Sequence, residues 1–254
     1  MRFKQVLKAV APVVALAIAG SLAGCDKANV NFNGEEGKQL SELDLSGEAP
    51  REVSLLGADT VDIRDGEKLA IQVEGSDEAK DRVRFVLKDG SLGILRENGT
   101  RGDDQVATVI ITMPAPAKLN LAGSGKMTAA SVSDHPEINV AGSGTLALAS
   151  VSAAKMEVNI AGSGSLKAAG SAEKLDLNVL GSGSADLSAL KVGSAKVNVA
   201  GSGKATFASD GDVDANIMGS GDVTVRGRAR CKVKTIGSGS LICEGGETGA
   251  EKAD

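Results

Sequence analysis

The stretch "LNLAGSGK", residues 119–126, recurs down the chain as "INVAGSGT", "VNIAGSGS", "LNVLGSGS", "VNVAGSGK" and "ANIMGSGD", with a worn last copy, "KTIGSGS". The first glycine of each triplet stands at 123, 142, 162, 181, 201, 219 and 237, so the spacings are 19, 20, 19, 20, 18 and 18 residues. A period of that size means a repeat architecture, because one such unit cannot bury an apolar face alone and neighbours must stack to do so. Glycine at a fixed place in every unit marks a corner, where the backbone takes angles that other residues avoid.

Aligned on that glycine, the units alternate strictly on both sides. Two and four residues before it come Leu121 and Leu119, Val140 and Ile138, Ile160 and Val158, Val179 and Leu177, and Val199 and Val197. Four and six residues after it come Met127 and Ala129, Leu146 and Leu148, Leu166 and Ala168, Ala205 and Phe207, and Val223 and Val225. Period two with one apolar face specifies strands, and no apolar stripe at helical spacing competes with it.

Strands joined by corners could form a meander of hairpins or a coil that returns onto itself, and the columns of equivalent residues decide between them. Asn120, Asn139, Asn159, Asn178, Asn198 and Asn216 all stand three residues before the corner. In a coil, equivalent positions stack at about 4.8 Å and asparagine amides can form a hydrogen-bonded ladder. Five before the corner the column reads Lys118, Glu137, Glu157, Asp176, Lys196, Asp214, Lys232. Stacking sets Lys118 on Glu137, Asp176 on Lys196, and Asp214 between Lys196 and Lys232. It also sets Asp212 on Arg230 and Lys204 on Asp222, while the run Glu137–Glu157–Asp176 departs from the alternation. Such facing charges each contribute a few tenths to about 1 kcal/mol and help to fix register. The pattern predicts an all-β chain: a parallel β-helix with one three-walled coil of about 18–20 residues per repeat.

Residues 41–118 repeat less regularly, with strand-like "VDI" (61–63), "LAIQV" (69–73), "VRFVL" (83–87), "LGIL" (92–95) and "VATVIITM" (106–113) separated by turns such as "RDGE" and "KDGS". Pro114 and Pro116 mark the entry to the regular coils of 119–243, and 75–82 and 96–105 read as polar loops. An irregular half holding "VDIRDGEKLAIQVEG" and "KDGSLGI", then "VIITMPAPAKLNLAGSG", then Gly-Ser-Gly coils, resembles the head GIN domain family, the auto-transporter adhesin head domain. The resemblance covers roughly residues 41–243. It implies a right-handed β-helix, residence in the cell envelope and no catalytic residues.

The N-terminus reads as a leader, residues 1–24. Arg2, Lys4 and Lys8 precede an apolar run, Val10 to Ala19, that is short for a membrane span. It ends in "LAGC", Leu22 to Cys25, which resembles the bacterial lipobox and makes Cys25 the expected lipidated terminus. Asp26 follows directly. In bacteria that resemble the enterobacterial model, an aspartate there disfavours transfer to the outer membrane. The expectation is therefore anchoring in a Gram-negative envelope, leaning to the periplasmic face of the inner membrane. Residues 25–40 read as a flexible tether and 244–254 as a disordered tail. Removing the leader takes away three cations and no carboxylate, so 28 basic residues become 25 against 33 acidic ones and the net charge is −8. With no basic patch, nucleic acid is a poor partner.

The chain has no Trp and no Tyr, and only Phe32, Phe85 and Phe207 remain beyond the leader, so it lacks the aromatic platforms common in sugar sites. The repeated Gly-Ser-Gly could form an anion nest, but strands follow the triplet and no helix does, so a structural corner is the better reading. Asp210, Asp212 and Asp214 begin like a calcium loop, but Ala215 stands where the pattern needs Gly and Gly221 where it needs Glu. His135, the only histidine, sits in the turn "SDHPE" with no evident catalytic partner. Cys231 and Cys243 lie six residues before and after Gly237, both on inward positions, and read either as a disulfide across the last coil or as two buried thiols. No catalytic, cofactor or metal site is expected. The expectation is a non-enzymatic, adhesin-like or scaffold module, held to the membrane by its lipid and contacting envelope proteins or glycans. The alternative is a β-helix that binds or cleaves carbohydrate.

Overall fold

The computed structural model describes residues 31–97 and 106–252. It is a β-solenoid whose parallel strands stack in register, coil upon coil. The first wall holds Lys118–Gly123 against Glu137–Gly142, with pairs such as Asn139↔Asn120 and Gly142↔Gly123. It continues through the ends of the long strands Thr145–Gly162, Ser165–Gly181 and Ser184–Gly201 to Asp212–Gly219 and Arg230–Gly237. The second wall begins after each corner, as in Lys126–Ser131 against Thr145–Ser150. A shorter third wall pairs Val151–Ala153 with Gly170–Ala172, and a register shift between Leu148 and Val151 marks the bend into it. The core fills the inside. Leu119, Ile138, Val158, Leu177 and Val197 are buried in one column, and Met127, Leu146, Leu166 and Phe207 are buried opposite.

The corners explain the triplet. Gly142 takes a φ of +110°, and a Cβ on it would lie 2.5 Å from the carbonyl oxygen of Gly123 in the coil beneath. The third residue is constrained by contact instead: a Cβ on Gly144 would lie 2.7 Å from the Gly125 oxygen and 2.8 Å from Leu121 Cδ2. Only a residue without a side chain lets successive corners stack this closely. The corner N–H groups donate downwards, Ser143 N and Gly144 N to Gly123 O at 2.9 and 3.0 Å. At the corners from Ser124 to Ser220 the serine N–H is spent on the fold in this way, which supports a structural corner over an anion nest.

The N-terminal half belongs to the same stack, but chain order is not stacking order. Glu52–Gly57 pairs with Lys118–Gly123 on one side and Ser91–Arg96 on the other. Thr60–Asp65 likewise lies between Lys126–Ser131 and Thr108–Met113. The coil built from 91–113 therefore sits beneath the coil built from 52–65, although it follows it in sequence. Below that, Val83–Lys88 and Ala70–Glu74 join antiparallel and close the stack.

Three expectations are corrected. Residues 75–82 are not a loop throughout: Asp77–Arg82 is a short helix, capped by Ser76 Oγ accepting from Ala79 N at 3.2 Å. The expected tether is structured from residue 31, where Asn31–Phe32 and Glu35–Glu36 form a small hairpin and Phe32 is buried against Val86 and Leu95. The expected disordered tail forms a strand, Glu247–Lys252, in parallel register with Arg230–Thr235. The leader, Cys25 and Asp26 lie outside the described residues, as does most of 96–105.

Candidate functional site: the outward face of the first wall

On each first-wall strand, Leu119 and Leu121 or their equivalents point inward, so the residues between them point out and stack into columns. Asn139 Nδ2 donates to Asn120 Oδ1 at 2.9 Å, Asn159 to Asn139 at 2.9 Å and Asn178 to Asn159 at 2.9 Å. Asn198 donates to Asn178 at 2.9 Å and Asn216 to Asn198 at 3.1 Å. At the N-terminal end the ladder is capped, because Asn120 Nδ2 donates to Ser54 Oγ at 2.9 Å and Glu52 Oε1 at 2.6 Å. Each internal rung spends one N–H and one lone pair on the ladder; Asn139 gives its second N–H to Glu137 Oε1 at 2.9 Å, while Asn159, Asn178 and Asn198 keep one of each for another partner.

The charged column beside the ladder is only partly paired. Lys118 Nζ lies 3.3 Å from Glu137, and Arg230 forks onto Asp212 with Nε to Oδ1 at 2.8 Å and a second N–H to Oδ2 at 3.0 Å. Asp176 on Lys196, Asp214 on Lys196 and Lys232, and Lys204 on Asp222 are register neighbours. None of these last pairs closes within 4 Å. The acidic run has a partner that stacking alone did not suggest. Lys155 lies on the same face as Glu157 and bonds it, and its Nζ is also 3.2 Å from Asp176. Hydrogen bonds to Glu157 and then Asp176 raise the Lys155 pKa above its ordinary 10.5.

Nearest the corner the outward column is apolar: Leu56, Ala122, Ala141, Ala161, Leu180, Ala200, Met218 and Ile236. Sequence reasoning read the inward alternation and missed this outward column, although it stands in the text of every repeat just before the triplet. The corner itself adds a ridge of exposed serines, from Ser124 to Ser238.

Asp59 was also missed. It occupies the third place of a corner, "GAD", whose Gly57 stacks on Gly123. Its buried carboxylate accepts from Arg96 Nε at 2.9 Å on Oδ2, and on Oδ1 from Ala107 N at 2.7 Å and from a second Arg96 N–H. It thereby ties together both ends of the excursion between residues 97 and 106.

The head GIN domain family, described as "Putative auto-transporter adhesin, head GIN domain", matches residues 49–229. The chain belongs to this family. Solved structures similar to this GIN domain include a "putative adhesin" from Bacteroides fragilis, with a TM-score of 0.62 at 19% identity over 81% of this chain and 93% of that one. Another, from Parabacteroides distasonis, is a "Putative lipid binding protein", with a TM-score of 0.58 at 21% identity over 76% and 92% of the two chains. A second "putative adhesin" from that organism has a TM-score of 0.52 at 20% identity over 82% and 94%. At these identities the likeness establishes the fold. No curated protein sequence matches significantly.

Most of the other candidate residues of the GIN domain make local structural contacts. Asp210 accepts from Arg228 N at 3.1 Å and lies 3.3 Å from Lys191 Nζ, and these contacts, in that order, hold its pKa below 3.8. Asp212 is likewise depressed, by its hydrogen bonds and then its charge interaction with Arg230. Asp210 and Asp212 thus serve inter-coil contacts, Asp214 is exposed, and among the described residues the three do not converge on a metal centre. Exposed His135 has Nδ1 3.1 Å from Asp134, while Asp134 Oδ1 accepts from Ala154 N of the next coil at 2.8 Å. Cys231 and Cys243 are joined by a disulfide, with Cα atoms 6.5 Å apart, so the last coil is stapled across its corner. No helix among the described residues is long and apolar enough to cross a membrane.

Proposed function

We propose that this GIN domain is a lipid-anchored, non-enzymatic binding module of a Gram-negative cell envelope, presenting the first wall to a macromolecular partner. The observation that carries this reading is the wall itself. Charged, amide and apolar columns run beside one another in fixed register over successive coils, which suits recognition of an extended or repeating surface. Ionisable groups on this wall pair along the stack, as Lys118 does with Glu137 and Arg230 with Asp212. The leader and "LAGC" support anchoring through Cys25, and the Cys231–Cys243 disulfide fits an oxidising compartment. Asp26 favours the inner membrane, with the solenoid facing the periplasm.

Two experiments test the reading. Cys25→Ala should release the protein from membranes with its fold intact, and sedimentation of the variant with carbonate-washed membranes would refute the anchor. A sucrose gradient of wild type and Asp26→Ser tests the choice of membrane, and banding of both with the outer membrane refutes inner-membrane retention. The second reading, a carbohydrate-directed β-helix, draws on the ladder's residual amide donors and acceptors. A glycan array with a reducing-end release assay on envelope polysaccharides separates the two, since turnover would sink the non-enzymatic reading.

A further inference from the structure

The first wall carries a surface matched to itself, and we infer that two copies of this chain associate through it, wall against wall, with their solenoid axes antiparallel. Three observations on the coils that end at Gly181, Gly201, Gly219 and Gly237 support this.

The large exposed apolar side chains of the wall are confined to this region. Leu180, Met218 and Ile236 are 37, 44 and 56% exposed, whereas the same column nearer the N-terminus holds Ala122, Ala141 and Ala161. The adjacent charges Lys196, Asp214 and Lys232 are exposed and alternate in sign, and no ion pair engages them among the described residues. Beside them, half-buried Asn178, Asn198 and Asn216 each keep hydrogen-bonding capacity beyond the ladder.

A two-fold axis lying between the walls and parallel to the strands keeps each column opposite itself and reverses the order of coils. With the axis midway between the Gly201 and Gly219 coils, Lys196 faces Asp214 of the partner and Asp176, which also holds Lys155, faces Lys232. In the apolar column Leu180 meets Ile236, and Ala200 meets Met218, large against small. Asn198 meets Asn216 in the amide column. The register is selective. Moving the axis by half a coil sets Asp214 on Asp214 or Lys196 on Lys196, and moving it a whole coil toward the N-terminus sets Glu157 on Asp214. An isologous contact of this kind closes a dimer and does not propagate.

The patch is six residues wide and four coils tall, about 20 by 19 Å. It would bury about 800 Å² in total, below the ~1,200–2,000 Å² of stable complexes, so the dimer is weak and reversible. This inference goes beyond the binding role proposed above and does not depend on the anchor.

The test is sedimentation equilibrium of the full chain up to about 1 mM, with Lys196→Glu, Asp214→Lys, and an equimolar mixture of the two variants. Each variant alone places two like-charged pairs in its own dimer and should associate about tenfold or more weakly than wild type. In the mixture, Glu at 196 faces Lys at 214, while native Lys196 of one chain faces native Asp214 of the other. Association should therefore return. Contacts inside each chain are the same alone and mixed, so recovery on mixing reports only the interface between chains. A monomeric wild type at about 1 mM, charge reversals that leave the association unchanged, or a mixture no better than its components would each overturn the inference. Wall-dependent retention of a strictly monomeric chain on a glycan array would overturn it in favour of a glycan occupant.

Discussion

The asparagine ladder predicts a gradient in stability between chemically identical substitutions. Asn139 Nδ2 donates to Asn120 Oδ1 and Glu137 Oε1, each at 2.9 Å, and its Oδ1 accepts from Asn159 at 2.9 Å. Asn139 is 3% exposed and Asn120 6% exposed. Asn139→Leu removes all three bonds and leaves the Asn120 oxygen facing a hydrocarbon in a site that water barely reaches. A stranded buried acceptor costs about 1–3 kcal/mol, and the remaining bonds about 1 kcal/mol more, so the loss should be about 2–4 kcal/mol. Asn216 makes a single ladder bond of 3.1 Å, and both partners are half-buried, so water can replace what is lost. Asn216→Leu should cost about 0.5–1.5 kcal/mol. Urea unfolding, followed by circular dichroism and by a second probe to check that one transition is present, measures both through the shift in midpoint at constant m-value. Equal losses within about 0.5 kcal/mol, or a larger loss at Asn216, would show that the ladder's bonds are not what these side chains contribute.

The remaining predictions concern other contacts. Gly142→Ala meets both a φ of +110° and the 2.5 Å approach to Gly123 O, so it should cost about 2 kcal/mol or more in the same assay, while exposed Ser143→Ala should stay within about 0.5 kcal/mol. Removing the disulfide by Cys231→Ser with Cys243→Ser should cost up to about 3 kcal/mol, with faster hydrogen exchange confined to the last coil. Asp59→Ala leaves Arg96 and the Ala107 N–H without their buried partner and should cost about 3–5 kcal/mol, whereas a loss below about 1 kcal/mol would refute the clamp. Asp210 and Asp212 have folded pKa values below 3.8, so their contribution is present above that value and is lost as pH falls through the depressed range. Lys155 has the opposite sign: its contribution is present below pH 10.5 and is lost as pH rises through its raised value. Thermal melts across pH should show a plateau between these limits.

The regular coils were legible because their equivalent positions are both periodic in sequence and adjacent in space. Leu119 stacks on Ile138, and Asn120 on Asn139, with no intervening choice of topology. The N-terminal half hid its order because Glu52–Gly57 and Thr60–Asp65 enter the stack between strands that come later in the chain. Nothing in alternation alone states that inversion. Other features did leave signals. Ser76 before Asp77 and Glu78, with Lys80 and Arg82 after them, is a helix start with charges suited to its dipole. Glu247 and Glu251 match Arg230 and Lys234 in the register that the tail adopts. Lys155 escaped the column analysis because it reaches along its own strand to Glu157 before it reaches across to Asp176.

The two ends of the solenoid solve the same problem in different ways. A parallel stack ends in strands whose outer N–H and C=O groups invite another chain, and whose core is open on one side. At the N-terminal end, Val83–Lys88 and Ala70–Glu74 reverse direction and close the ladder, while Leu40, Leu43 and Leu45 and the helix residue Ala79 pack over the core. At the C-terminal end, Ser240–Glu244 has no neighbour on its outer side among the described residues, and Val233, Leu241 and Cys243 are only partly buried. Among the described residues no helix or reversed strand covers them, and only the parallel strand Glu247–Lys252 lies over Val233. The disulfide joins Arg230–Gly237, on which Glu247–Lys252 stacks, to Ser240–Glu244, which has no outer strand among the described residues, and it restrains fraying that elsewhere is prevented by the next coil. Lys232 and Ile236 belong to the stapled coil and form one edge of the proposed self-association surface. The covalent link therefore ties the outermost described strand of the second wall, Ser240–Glu244, to Arg230–Gly237, and it helps to hold the outward columns in the register on which the proposed self-association depends.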